Sequence, residues 1–256
     1  MKVVILAGGL GTRISEESHL VPKPMIKIGG KPILWHIMQY YASYGHKEFI
    51  ILAGYKQEVI KDYFNNYYLH NSDTTFYLID QSSKLVKSYS DDWIVTVLDT
   101  GLHTNTAGRL LYAKEHLIHE DAFLLTYGDG LSDVNLNELI SSHKQSKADV
   151  TLTAIRPKGR FGLLDINQEN MIKSFKEKSD NDLNWINGGF MVVSPSIYYH
   201  IKTDDDVLET DVLPVVAKDN CLYSFKHYGF WQAMDTLRDK ELLESLVSQD
   251  KTPWIR

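Results

Sequence analysis

The sequence predicts a mixed α/β fold: a mainly parallel sheet with helices on both faces and a smaller antiparallel portion in the second half. Three observations carry this. Strand-length apolar runs alternate with segments of helical period through about the first 150 residues. The first run, 2–7, is continuously apolar and ends in glycines, as a parallel strand buried on both faces does. Beyond it, strand-like runs crowd together with little helix between them.

In order, Lys2 to Ala7 reads as the first strand. A helix opens after Pro32, with Leu34, Ile37, Met38 and Tyr41 on one face and Gly45 as its stop. Glu48 to Ala53 reads as a strand, Lys56 to Leu69 as a helix, Trp93 to Leu98 as a strand and Thr106 to Leu117 as a helix. Ala122 to Tyr127 is a further strand, and Leu136 to Lys144 a helix capped by Asn135. The second half offers strands over Val150–Ile155, Gly162–Ile166, Met171–Phe175, Gly189–Val193 and Cys221–Phe225, then a helix from Thr236 to Val247.

No Pro/Ser-rich linker divides the 256 residues, so one domain over 1–256 is expected. A net charge of −6 argues against a general nucleic-acid binder. No apolar run is long enough to span a bilayer, and the N-terminal stretch lacks a signal-peptide cleavage pattern. The single cysteine, Cys221, cannot form an intramolecular disulfide, and a reducing cytoplasm is the simplest setting. Fifteen tyrosines, among them Tyr40, Tyr41, Tyr44, Tyr67 and Tyr68, suggest contacts in a homo-oligomer. His116 and His119 complete no zinc set and read as surface residues.

The informative segment is Leu6, Ala7, Gly8, Gly9, Leu10, Gly11, Thr12 and Arg13. Glycines at the carboxyl end of a buried strand let backbone amides approach phosphates. The spacing fits neither a P-loop nor a dinucleotide fingerprint. By itself it is equally an ordinary glycine-rich turn. Further on, Asp129 ends a buried strand between Gly128 and Gly130, where a carboxylate can hold a hard cation against phosphates or simply make a turn. Asp235 precedes a helix and could be its N-cap. Spacing alone does not pair these two acids. Asp133 reads as structural. Small and hydroxyl residues from Asp99 to Arg109 lead into a helix N-terminus, which favours anions and polar ligand atoms.

Nine residues after Arg13 begins Pro22-Lys23-Pro24-Met25. The glycine segment followed by this motif closely resembles the signature of sugar-nucleotide pyrophosphorylases, which join a sugar 1-phosphate to a nucleoside triphosphate. Asp99 to Leu110 narrows the resemblance to the glucose-1-phosphate cytidylyltransferases. Supporting stretches run from Ile28 to Met38, Gly159 to Gly162, Phe175 to Lys178, Trp185 to Phe190 and Gly229 to Trp231, so the resemblance spans nearly the whole chain.

The resemblance implies a Rossmann-like, GT-A-like fold, with nucleotide binding over roughly 1–150 and sugar-phosphate binding plus a C-terminal helix over 151–256. It implies CTP contacts from Leu6 through Arg13 and from Lys23, Thr104, Arg109 and Gly128. Arg13, Lys23 and Asp129 would be catalytic, and Asp129 with Asp235 would hold Mg²⁺. Glu177, Lys178, Asn187, Gly188 and Trp231 would bind the sugar phosphate. The implied reaction transfers CMP from CTP to α-D-glucose 1-phosphate, releasing pyrophosphate, and the CDP-glucose feeds bacterial surface polysaccharides such as O-antigen.

Three departures stand out. Ala107 replaces a usual glycine, Glu177-Lys178 continues into Ser179 to Asp182 where the family has Glu-Lys-Pro, and Leu208 replaces the Trp before Glu209. The alternatives are a pyrophosphorylase for another base or phosphorylated acceptor, a glycosyltransferase, which would lack the signature, and a non-catalytic nucleotide-sensing homologue.

Overall fold

The computed structural model describes residues 1–11, 21–88, 91–157, 163–166, 171–176 and 184–255, with backbone alone for 163–166 and 172–176. The strands of the first half are β1 (Val3–Ala7), β2 (Lys27–Ile28), β3 (Lys31–Pro32), β4 (Glu48–Ala53), β5 (Ser72–Tyr77), β6 (Ser82–Ser88), β7 (Ile94–Asp99), β8 (Phe123–Tyr127) and β9 (Gly130–Ser132). Those of the second half are β10 (Val150–Ile155), β11 (Leu163–Ile166), β12 (Ile172–Lys176), β13 (Ile186–Asn187), β14 (Met191–Val193), β15 (Leu222–Lys226) and β16 (Trp231–Ala233).

The main sheet runs β7-β4-β1-β8-β14-β10. β7, β4, β1 and β8 are mutually parallel, whereas β14 runs antiparallel to both β8 and β10. β15 adds in parallel along one edge of β10, so β13 shares the other edge with β14. Alternation along β1 explains its continuous apolar run. Val3, Ile5 and Ala7 enter one core layer while Val4 and Leu6 enter the other. Helices Ile33–Ser43, Leu136–Ser146 and Leu237–Ser248 cover the first face. Helices Thr106–Tyr112, Lys114–Leu117 and Leu213–Lys218 cover the second. This is the expected α/β architecture with its antiparallel part in the second half.

Asn135 caps its helix as expected, its side chain accepting from the amides of Asn137 and Glu138. Other readings need correction. The helix expected over Lys56–Leu69 breaks at Asn66 into Gln57–Asn65 and Tyr67–His70. That expected over Thr106–Leu117 breaks at Ala113. The β5–β6 hairpin went unread because almost none of it is buried, so no two-residue apolar period marks it. Tyr40 and Tyr41 are core residues rather than surface contacts, with Tyr41 stacked on Phe190 at 5.8 Å.

The strand expected over Gly189–Val193 is shorter, because Gly189 and Phe190 take φ of +72° and +45°. A left-handed aromatic residue costs on the order of 1–3 kcal/mol. The fully buried Phe190 ring, held between Tyr40 and Tyr41, offsets it. The kink separates β13 from β14.

Candidate functional site

At the carboxyl ends of β1 and β8 lies a cavity of about 560 Å³. Its walls include Leu6, Ala7, Gly8, Gly9, Leu10, Gly11, Lys23, Thr104, Arg109, Gly128, Asp129 and Asp235. Residues far apart in sequence, chosen for nucleotide and metal binding, thus converge in one place. Thr12, Arg13, Glu177, Lys178, the Gly159–Gly162 stretch and the altered Ser179–Asp182 loop lie outside the described residues.

The chemical centre is Lys23. A short 3-10 turn, Lys23–Met25, presents its ammonium 2.6 Å from Asp129 Oδ2 and 2.8 Å from Asp235 Oδ1. Burial pulls the Lys23 pKa down, but the two carboxylates outweigh it and hold it above the ordinary lysine value. Thr236, with Asp239, forms the capping box of the following helix, so the Asp235 side chain is not the cap. The antiparallel pair β9–β16 brings the acids together: Ala233 faces Gly130, and the Met234 amide donates to the Asp129 carbonyl at 2.9 Å. Two carboxylates sharing one cation are a hard-oxygen donor set suited to Mg²⁺. Gly128 is required by close approach, since a Cβ there would sit 2.9 Å from Pro24 Cγ and 3.0 Å from the Leu6 carbonyl.

Arg109 is buried beneath the glycine loop. Its guanidinium donates to the carbonyls of Gly8 (3.0 Å) and Gly101 (2.9 Å) and to the Thr100 hydroxyl. No carboxylate pairs with it among the described residues, so its charge raises the potential under the loop. The space it fills exists because Gly8 and Gly54 lack side chains: a Cβ would come within 2.1 Å and 2.5 Å of Nη1 respectively. Gly54 was not read from the sequence, although it too follows a buried strand.

The helix beginning at Thr106 does not offer an anion its first amides. The Asn105 amide donates to the carbonyl of Asp204, and those of Ala107 and Gly108 donate to that of Asp206. The expectation of a free helix N-terminus is therefore corrected; the 204–206 segment has filled it. Ala107 lies buried inside the helix, so its methyl replaces glycine without strain.

The acceptor candidates form a neighbouring group. Asn187 donates from Nδ2 to the Tyr127 hydroxyl at 3.2 Å, while its Oδ1 accepts from the Gly189 amide at 2.9 Å. Trp231 Nε1 donates to the Gly188 carbonyl at 2.7 Å. Tyr127 lines the cavity and so joins the two groups; it was missed because it reads as one more apolar strand residue. Asp133 lies 2.9 Å from His227 Nε2, in keeping with a structural role. Trp185 has Arg156 and Lys226 over its ring at 4.4 Å and 5.4 Å.

A glycine-walled cavity at the carboxyl edge of parallel strands, with paired acids and a lysine, is the site of a phosphoryl- or nucleotidyl-transferring enzyme. The nucleotidyl transferase family matches residues 2–239, and the chain belongs to that family. It is 50% identical over 254 residues to the glucose-1-phosphate cytidylyltransferase of Salmonella typhi, covering 99% of this chain and 98% of that one. To the probable glucose-1-phosphate cytidylyltransferase of Bacillus subtilis it is 45% identical over 258 residues, covering 99% of each. The crystal structure of HddC from Yersinia pseudotuberculosis has a TM-score of 0.68 at 24% identity, over 96% of this chain and 99% of that one, a likeness of fold. The resemblance read from the sequence is thereby borne out.

Proposed function

We propose that the protein transfers CMP from CTP to α-D-glucose 1-phosphate, giving CDP-glucose and pyrophosphate. One observation carries the chemistry: Lys23, Asp129 and Asp235 meet within hydrogen-bond distance in the glycine-loop cavity. The high identity to glucose-1-phosphate cytidylyltransferases supports the choice of substrates.

A sugar phosphate is already anionic at pH 7, so its oxygen can attack the α-phosphorus in line without a general base. Asp129 and Asp235 would hold Mg²⁺, which supplies charge neutralisation between phosphate groups. The glycine loop offers amides to the triphosphate, with buried Arg109 behind it. The Lys23 ammonium is placed to share its charge between the carboxylates and a phosphate oxygen. Arg13 would steady the departing pyrophosphate through its planar fork. On the acceptor side, Asn187 reads the sugar, Glu177 accepts from its hydroxyls and Lys178 pairs with its phosphate. Gly188 and Trp231 close that wall. We further propose a cytoplasmic homo-oligomer; no helix among the described residues is long and apolar enough to cross a membrane.

The test is pyrophosphate release over a grid of nucleotides and phosphorylated acceptors. CTP with glucose 1-phosphate should be the best pair. Lys178→Ala should raise the KM for glucose 1-phosphate far more than that for CTP. Turnover of another nucleotide or acceptor in preference would replace the substrate assignment while leaving the reaction class intact.

A further inference from the structure

The π-helical turn Leu208–Val212 places an acidic side chain against the cavity from outside it. Turns of this kind recur at functional sites. Glu209 is exposed at the rim, yet both of its oxygens are engaged. The Tyr127 hydroxyl donates to Oε1 at 2.5 Å, and the Thr106 hydroxyl donates to Oε2 at 2.8 Å. The Thr106 hydroxyl also accepts from the Leu208 amide at 2.8 Å, which fixes the turn to the start of the helix Thr106–Tyr112. The Tyr127 hydroxyl in turn accepts from Asn187 Nδ2. Asn187, Tyr127, Glu209 and Thr106 therefore form one unbroken chain from the acceptor candidates to the cavity, which both Tyr127 and Thr106 line.

We infer that Glu209 is a positioning residue for acceptor recognition, acting through Tyr127 on Asn187. The physical reason is the direction of the hydrogen bonds. A phenol has one proton. While Glu209 takes it, only lone pairs remain for Asn187, which must then present its amide nitrogen to Tyr127 and its oxygen to Gly189. Without the carboxylate, the phenol proton is free to point at Asn187 Nδ2, and of the two contacts that orient the side-chain amide only that from the Gly189 amide is left. Hydrogen-bonding sites discriminate by such fixed patterns, because a mismatched group is left unsatisfied.

The inference rests on reading Asn187 as an acceptor contact, and the experiment separates the two. Steady-state KM values for glucose 1-phosphate and CTP are measured for Asn187→Ala, Glu209→Ala, Glu209→Gln, Tyr127→Phe and the Tyr127→Phe/Glu209→Ala pair, with thermal melts confirming folding. Glu209→Ala should raise the acceptor KM about tenfold and that for CTP less than about threefold. Glu209→Gln, which can still accept from Tyr127, should stay within about threefold of the parent for both substrates. Tyr127→Phe keeps the ring and removes the hub, and adding Glu209→Ala to it should change the acceptor KM little further. An unchanged acceptor KM in Asn187→Ala overturns the acceptor reading and the inference with it. An effective Asn187→Ala beside a silent Glu209→Ala overturns the inference alone. So do equal effects of Glu209→Ala on both substrates, and full additivity with Tyr127→Phe.

Discussion

The wall proposed for the nucleotide, which lines the cavity, and the neighbouring group proposed for the acceptor are built from different materials. The nucleotide wall hangs on β1 and β4, central parallel strands buried on both faces, and is locked from beneath by Arg109 in a space left by two glycines. The acceptor wall hangs on β13, two residues long, next to a kink held by a left-handed Phe190. Its order comes from side chains: Asn187 on Tyr127, and Trp231 on Gly188. The triphosphate is the same in every nucleoside triphosphate, so on the proposed reading a backbone wall would suffice to bind it. Acceptors differ by single hydroxyls, and side-chain networks on a short strand can change without disturbing the core. The difference teaches that backbone geometry builds one side of the site and side-chain contacts the other.

The comparison breaks most visibly at the junction of the walls. Asp129→Asn should lower kcat by at least about a hundredfold, the usual consequence of losing a central electrostatic element, with the fold retained. Turnover near the parent level would remove Asp129 from the centre. Next comes the nucleotide wall itself. Arg109→Ala strips donors from the buried Gly8 carbonyl and from Thr100, at a cost of about 2 kcal/mol or more. Unlike changes in the acceptor network, it should lower Tm and raise the KM for CTP together. Loss of acceptor affinity alone would contradict the assignment.

Acidification probes both halves at once. Burial holds His36, His46 and His143 below the ordinary histidine pKa, His46 at about 4. A repulsive N-terminal charge adds to the effect at His46. The unfolded chain binds protons more readily, so this stability is fully present above about pH 6.5 and is lost as pH falls toward the folded-state values. Tm should decline steadily from pH 7 to pH 4.5. His143, bonded to Thr151 and Ser194, ties the helix Leu136–Ser146 to the antiparallel part of the sheet. His143→Gln should flatten part of the decline; an unaltered slope would show that this contact contributes nothing.

The smallest effect is expected at Cys221, which sits beyond both walls just before β15. Burial, and then Asp149, push its thiol pKa up, opposite to an activated cysteine. Cys221→Ser should leave kcat/KM within a few-fold; abolished turnover in a folded variant would assign it a role.

What the sequence determined by itself was the β1 strand, the glycine loop after it and the alternation of strands and helices in the first half, because continuous apolar runs and turn residues are local signals. Lys23, Asp129 and Asp235 could be singled out from motifs; the family resemblance paired the two acids, but no spacing or period did. Tertiary structure alone decided that β9 and β16 pair and so bring the two acids to one ammonium. It also decided that the helix N-terminus is filled by the carbonyls of Asp204 and Asp206, and that Tyr127 and Glu209 meet across the chain. None of these contacts leaves a periodic trace. Each joins residues 82 or more positions apart through hydrogen bonds that exist only once the sheet has assembled, whereas burial of a strand is written into every second side chain.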